Sequence, residues 1–525
     1  MQREAMHERL ARESFDVIVV GGGATGLGVA VDSASRGYRT LLLEAHDFAK
    51  GTSSRSTKLV HGGVRYLEQL NFSLVTEALR ERGLLYHNAP HLVHNLGFVV
   101  PRYRWWQGPF YGVGLRLYDA LAGDLNLAPS RGLDRSQTIE AIPNVEQDDL
   151  IGGTMYHDAQ FDDARMAVHL ALTAADQGAV LLNYMEVVEI LKAGGGDGHT
   201  CGVVARDAET GVLHRVLARV VVNATGVFSD ALRWLDQPEA PPMTTPSQGI
   251  HLVLDASFQP GPNAIMVPQT DDGRVLFVIP WHGRVLVGTT DTPMATTDLE
   301  PRALPDEIEF VLRNAGRYLA RDPGRGDVLS VFAGQRPLVR GDVADTKKIS
   351  REHEVHVSNS GLVTILGGKW TTYRKMAEDT MVDAIAVGGL PSRPCVTESL
   401  PLHGHIARDD PDFPAEVARR AYGSDLPAVE ALAEEDASLA EPLHPRLPYT
   451  GAQIVWGARR EMARSLEDVL ARRTRALILD ARAALEIAPR AAELLARELG
   501  RDAAWAAREL ESFRVLARGY LLDAA

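Results

Sequence analysis

Phe15-Asp-Val-Ile-Val-Val20 runs directly into Gly21-Gly22-Gly23-Ala24-Thr25-Gly26, and this stretch decides the fold. β-Branched residues without polar alternation predict a strand buried on both faces, as in a parallel sheet. The glycines that follow fall at G-x-G-x-x-G spacing. Gly21 permits the tight turn, Gly23 lets the backbone approach a pyrophosphate, and Gly26 lets the next helix pack on the strand. A helix read over 27–36 stops at Gly37, and its N-terminus presents positive partial charge to phosphates. Thr40-Leu-Leu-Leu-Glu44 reads as a second strand ending in an acid 18 residues after Gly26, placed to accept hydrogen bonds from a ribose diol. Together these parts form a dinucleotide-binding βαβ unit, of a kind that serves both FAD and NAD.

The rest of the chain bounds what this unit can belong to. Its 525 residues suggest about three domains. Hydrophobic residues at 45% and charged residues at 24% are ordinary for a soluble globular protein. A formal charge of −14 argues against nucleic acid as a partner. Cys201 and Cys395 stand far apart, so cysteine spacing offers neither a disulfide framework nor a zinc site; no metal and a reducing compartment are expected. The opening MQREAMHERLARESF is charged throughout, unlike a signal peptide, and no apolar run reaches the ~18 residues of a membrane span. Membrane contact is therefore expected to be peripheral. Only 7 of the 55 basic residues are lysines, which makes a lysine inside a motif conspicuous.

Downstream lies Gly51-Thr-Ser-Ser-Arg-Ser-Thr-Lys-Leu-Val-His-Gly-Gly-Val-Arg-Tyr-Leu-Glu68, whose small hydroxyl residues and glycines let a flat or phosphorylated ligand come close. Ala89-Pro-His-Leu92, Val221-Val-Asn-Ala-Thr-Gly226, Phe277-Val-Ile-Pro-Trp281 and Gly288-Thr-Thr-Asp291 follow. Then come Gly334-Gln-Arg-Pro-Leu338, Gly367-Gly-Lys-Trp-Thr-Thr-Tyr-Arg374 and Asp468-Val-Leu-Ala-Arg-Arg-Thr474. This collinear set resembles the FAD-dependent (aerobic, respiratory) glycerol-3-phosphate dehydrogenase family. Flavin amine oxidases share the first motif and the late Gly-rich turn. The segment His61-Gly-Gly-Val-Arg-Tyr66, the Gly-Thr-Thr-Asp strand and the full Gly-Gly-Lys-x-Thr-Thr-Tyr-Arg run distinguish the two. Arg55 and Thr57 stand where the family commonly has small residues, Trp370 replaces an aliphatic one, and Gln335 is unusual.

The resemblance implies noncovalent FAD and oxidation of sn-glycerol 3-phosphate to dihydroxyacetone phosphate by hydride transfer from C2 to flavin N5, with electrons passed to a membrane quinone. The alternative is a glycerol-3-phosphate oxidase that reduces O2 to H2O2; such oxidases tend to carry an insertion that this chain lacks. Implied cofactor contacts are Gly21, Gly23, Ala24, Thr25, Gly26 and Glu44, then Thr52, Ser53, Ser54, Lys58, His61, Gly62 and Gly63. Ala224, Thr225, Gly226, Gly367, Gly368, Lys369 and Thr371 complete that set. A dianionic alcohol needs cations and a proton acceptor. Arginine suits bidentate phosphate binding, lysine supplies a point charge, and histidine accepts a proton near neutrality. Substrate contacts are therefore expected from Arg65, Tyr66, Arg336, Arg351 and Lys369. His251 is the favoured base, His61 the second choice, and Arg336 could stabilise a developing alkoxide.

The expected architecture is mixed α/β. A discontinuous, Rossmann-like FAD-binding domain (15–85, 150–235, 345–395) is interleaved with an antiparallel-sheet substrate domain (86–149, 236–344), and a helical cap domain follows (400–525). Residues 101–118 mix arginines with clustered aromatics, a composition suited to a bilayer interface. A homodimer, cytoplasmic and held at the inner face of the cell membrane, completes the expectation.

Overall fold

Val17–Val20 is buried along its whole length because it lies inside a six-stranded sheet. The strand order of that sheet in the computed structural model is 353–357, 362–367, 220–223, 17–20, 40–43, 180–182, all parallel except for the antiparallel edge strand His353–Val357. The structure describes residues 1–68, 71–196, 198–340 and 353–522. Helices Ala24–Ser35, Asp163–Asp176 and Tyr373–Val387 pack together on one face. A three-stranded antiparallel sheet, Met185–Lys192, Thr200–Asp207 and Leu213–Leu217, covers the other face. The first helix starts at Ala24, one turn earlier than its apolar pattern suggested, because the glycine turn is itself the helix entry. A Cβ on Gly26 would lie 1.9 Å from the Gly21 carbonyl oxygen, so this crossing admits only glycine.

The second layer is a larger mixed sheet in which Thr244–Asp255 is the central strand, paired antiparallel with Arg284–Gly288, Thr292–Pro293 and Val328–Val339. It continues through Leu276–Trp281, Ala264–Val267, Val93–Arg102 and Gly152–Phe161 to Leu59–Val60. Leu59–Val60 and Gly152–Phe161 fall in segments expected to belong to the dinucleotide-binding part, yet they pair here. Sheet membership follows pairing partners, which local pattern does not reveal. His251, expected to open a strand, lies inside the twelve-residue Thr244–Asp255.

The C-terminal part is helical, as composition predicted, with Leu426–Glu435, Gly451–Arg460, Ala481–Glu498 and Ala503–Ala517 as its main elements. Ala481–Glu498 turns Ile487, Ala488, Ala491, Leu494 and Leu495 inward at helical spacing. A π-helical turn, Asp468–Arg473, aims both Arg472 and Arg473 at the buried Asp47 of the dinucleotide-binding part. The N-terminal helix Arg3–Arg12 was not anticipated; its sequence, REAMHERLAR, is more polar than apolar, and its buried residues, Arg3, Met6 and Leu10, give it little apolar stripe to read.

Burial alone would raise the Asp47 carboxyl, but Arg473 and Arg472 bring it down to about 2. A depressed carboxyl contributes stability above its unfolded value near 4 and loses that contribution as pH falls toward 2. Asp47→Ala strands two buried guanidinium groups and is expected to cost about 3–5 kcal/mol in denaturant unfolding at pH 7. The difference from wild type should shrink between about pH 4 and pH 2; a constant difference over that range would contradict the pairing.

Candidate functional site

A cavity of about 760 Å³ opens where the two sheets meet. Its first half is built by turns at the C-terminal ends of the parallel strands, the place where α/β sheets bind ligands. Gly21 adopts φ +109°, and a Cβ there would sit 2.6 Å from the Ala224 carbonyl oxygen. The first and second glycine-rich turns therefore touch, and Ala24, Thr25, Ala224, Thr225 and Gly226 line the wall beside them. Glu44 accepts from the Gly22 backbone N–H at 2.6 Å and the His46 N–H at 2.8 Å. Burial raises its pKa, and these N–H donors partly offset the rise. Met185, Glu186, Val187 and Val188 close this end, a wall with no sequence signature beyond its strand pattern. Ser53 Oγ accepts from Ala24 N at 2.9 Å, and Trp370 Nε1 donates to the Ser53 carbonyl at 2.8 Å. The hydroxyl loop is thus clamped between the first glycine turn and the Gly367-Gly368 turn, with Thr52, Gly23, Gly367, Gly368 and Thr371 on the lining. These bare turns, a helix N-terminus and an acid beyond the second strand fit a dinucleotide laid across the sheet ends.

Strand register explains the other half. Ser247, Gly249 and His251 oppose Arg336, Gly334 and Phe332 in the antiparallel pair, so all six point to one face. The two glycines clear the space between the side chains of Ser247, His251 and Arg336. A Cβ on Gly249 would lie 2.5 Å from Arg336 Nη2, which places the guanidinium over position 249, two residues or about 7 Å along the strand from His251. Arg336 donates to the Thr290 carbonyl at 3.1 Å and pairs with Asp291 at 3.4 Å. His251 stacks on Phe332 with centroids 5.0 Å apart, and its Nε2 lies 3.0 Å from Thr57 Oγ1. Its Nδ1 is buried with no hydrogen-bond partner among the described residues. Burial, reinforced by Lys58 and Arg336, holds His251 well below the usual imidazole pKa, so it is neutral at pH 7. Gly288 must be glycine here, since a Cβ would meet His251 Cδ2 at 2.3 Å. Lys369 reaches in from the late turn with its Nζ 4.0 Å from the Tyr66 ring centroid, and His61 packs edge-on against Phe277.

The cavity therefore gathers His61, Tyr66, His251, Arg336 and Lys369. Other expected residues lie elsewhere. Lys58 does not line the cavity: it is fully buried between Trp281 and Phe332, with Nζ donating to Asp163 at 2.6 Å and to the Ser54 carbonyl at 2.8 Å. Burial lowers its pKa to about 8 despite Asp163. Its neighbour Ser54 faces the same ion network, through which Arg475 also reaches Asp163 at 3.0 Å. Gly26 serves the helix crossing. Gly62 donates to the Tyr118 hydroxyl and, like Gly63, stands behind the lining. Arg351 and the Arg65 side chain lie outside the described residues. Thr57 and Asp291, the partners of His251 and Arg336, were legible only as members of motifs; their pairing needs the register.

Residues 16–374 match the family described as FAD dependent oxidoreductase, and residues 363–506 match the C-terminal domain of alpha-glycerophosphate oxidase. The mitochondrial glycerol-3-phosphate dehydrogenase of Mesocricetus auratus is 42% identical over 95% of this chain and 72% of its own length. The corresponding protein of Schizosaccharomyces pombe is 38% identical over 93% of this chain and 85% of its own length. Among solved structures, the glycerol-3-phosphate dehydrogenase from Bacillus halodurans complexed with FAD superposes with a TM-score of 0.80 at 30% identity, covering 100% of this chain and 99% of that one. With FAD as the cofactor that its glycine turns accommodate, the chain belongs to the FAD-dependent glycerol-3-phosphate dehydrogenase family.

Proposed function

We propose that this chain oxidises sn-glycerol 3-phosphate to dihydroxyacetone phosphate and delivers the electrons to a membrane quinone. The observation that carries the reading is the meeting of a neutral, buried His251 with Arg336 and Lys369 in the cavity that holds the dinucleotide turns. Bound FAD supplies the hydride acceptor. Arg336 and Lys369 give the cationic contacts a phosphate dianion needs, with Asp291 fixing the guanidinium. His251 takes the proton of the C2 hydroxyl as C2–H leaves as hydride, so the alcohol loses two electrons and two hydrogens and becomes a carbonyl. Thr57 and Phe332 hold the imidazole plane during that transfer. Tyr66 and His61 border the same space as hydrogen-bonding neighbours of the substrate, with Arg65 and Arg351 as further proposed phosphate contacts.

Quinone reduction requires the protein to meet a bilayer. Among the described residues no helix is long and apolar enough to cross one. Helix Gln107–Ala122 and the turn before it instead expose Trp105 (81%), Trp106, Phe110, Val113 and Leu117, flanked by exposed Arg104 and Arg116. Positions 106, 110, 113 and 117 share one helix face. Aromatic rings with arginines beside them suit the headgroup level of an anionic membrane. The proposed setting is a cytoplasmic homodimer resting on the inner face of the cell membrane through this helix.

Anaerobic titration with glycerol 3-phosphate is expected to bleach the flavin band at one equivalent per site, and no bleaching at saturation would refute the assignment. In air, stoichiometric peroxide would replace the quinone with O2 as acceptor. Arg336→Ala and Lys369→Ala should each raise KM about 10- to 100-fold, the loss of a charge-assisted contact, while FAD stays bound; an unchanged KM in both rejects their phosphate roles. Trp106→Glu with Phe110→Glu should abolish co-sedimentation with anionic vesicles without altering turnover with a soluble dye, and undiminished binding would remove this helix as the contact.

A further inference from the structure

The hairpin formed by Thr200–Asp207 and Leu213–Leu217 pairs Ala205 with His214. Asp207 lies two residues beyond Ala205, so Asp207 and His214 are diagonal neighbours on the same face of that hairpin. Helix Arg3–Arg12 crosses this face. Arg3 and His7, one helical turn apart, both reach Asp207. The carboxylate divides its oxygens between them. Oδ1 accepts from the Glu209 backbone N–H at 2.8 Å and from Arg3 at 3.4 Å, whereas Oδ2 faces His7 Nε2 at 3.4 Å.

We infer that His7, Asp207 and His214 form a binding site for a divalent transition ion of the zinc class. One ligand atom from each residue lies within 4.8 Å of the others. Tetrahedral zinc with ligand bonds near 2.0–2.1 Å needs ligand atoms about 3.4 Å apart, the spacing His7 and Asp207 already have. His214 is half-buried, and a bound ion would draw its imidazole in from the present spacing of at most 4.8 Å. Two imidazoles and one carboxylate are the donor set that zinc, nickel and copper(II) prefer over calcium or magnesium, and water takes the fourth position. Arg3 does not fill the site. It is engaged with Asn183 at 3.0 Å, with Asp207 through the oxygen away from His7, and with Glu209, which Arg464 and Arg501 hold in turn. Cysteine spacing gave no hint of this site because it uses none, and its three ligands come from elements 200 residues apart in the chain.

An ion here clamps the N-terminal helix to the hairpin. The test uses the FAD-loaded chain after chelation and dialysis, titrated with zinc chloride by calorimetry. One zinc per chain is expected, with a dissociation constant at least tenfold weaker in His7→Ala and in His214→Ala while flavin content per chain stays constant. No saturable binding, or affinities within twofold of wild type in both variants, overturns the proposal. If either variant loses its flavin, cobalt(II) added to the wild-type holoenzyme decides: intense visible bands of a four-coordinate ion support the site, and a weak six-coordinate spectrum sinks it.

Discussion

Asp163, wholly buried at the start of helix Asp163–Asp176, is the charge on which the rest of the site is hung. Its carboxylate accepts from Lys58, from the Ser56 backbone and hydroxyl, and from Arg475. One anion thereby fixes the hydroxyl loop, the edge of the large sheet and the C-terminal part at a single point. Buried ions cost several kcal/mol each to desolvate, and only close, fully hydrogen-bonded partners offset that. The arrangement meets the condition: Lys58 also donates to the Ser54 carbonyl and lies near the faces of Trp281 and Phe332, and Arg475 donates to the Ser54 and Ala471 carbonyls. Phe332 is the ring on which His251 stacks, so the ion network and His251 share a wall.

This explains why a dinucleotide fold needs a distant helical part to work. Asp47, just past the second strand, is gripped by Arg472 and Arg473, and Lys50 by Glu300 and Glu467. The loop at 45–60 carries much of the cavity lining and is apolar at few positions. Phe48, Ala49 and Val60 anchor it in the core, and ion pairs reach it from residues 163, 300, 467, 472 and 473.

The dinucleotide unit was readable because its physics is local: β-branched strands, a glycine turn and a terminal acid act within 30 residues. The helical tail was readable from its composition. Lys58 was misplaced for an instructive reason. It stands in a ligand-binding motif, but its side chain follows Asp163, a partner 105 residues away. The relation between His251 and Arg336 depends on a strand register spanning 85 residues, and Gly249 and Gly334 matter because of what they leave empty. Neither long-range pairing nor deliberate vacancy leaves a periodic mark. The sheet membership of Leu59–Val60 and Gly152–Phe161 was hidden on the same grounds.

Arg475 lies 421 residues beyond Ser54 yet completes the setting of the loop that begins at residue 51. During synthesis, the glycine turns and their strands leave the ribosome long before the guanidinium that neutralises Asp163 exists. Until then the hydroxyl loop has a buried-carboxylate anchor with half of its cationic support missing.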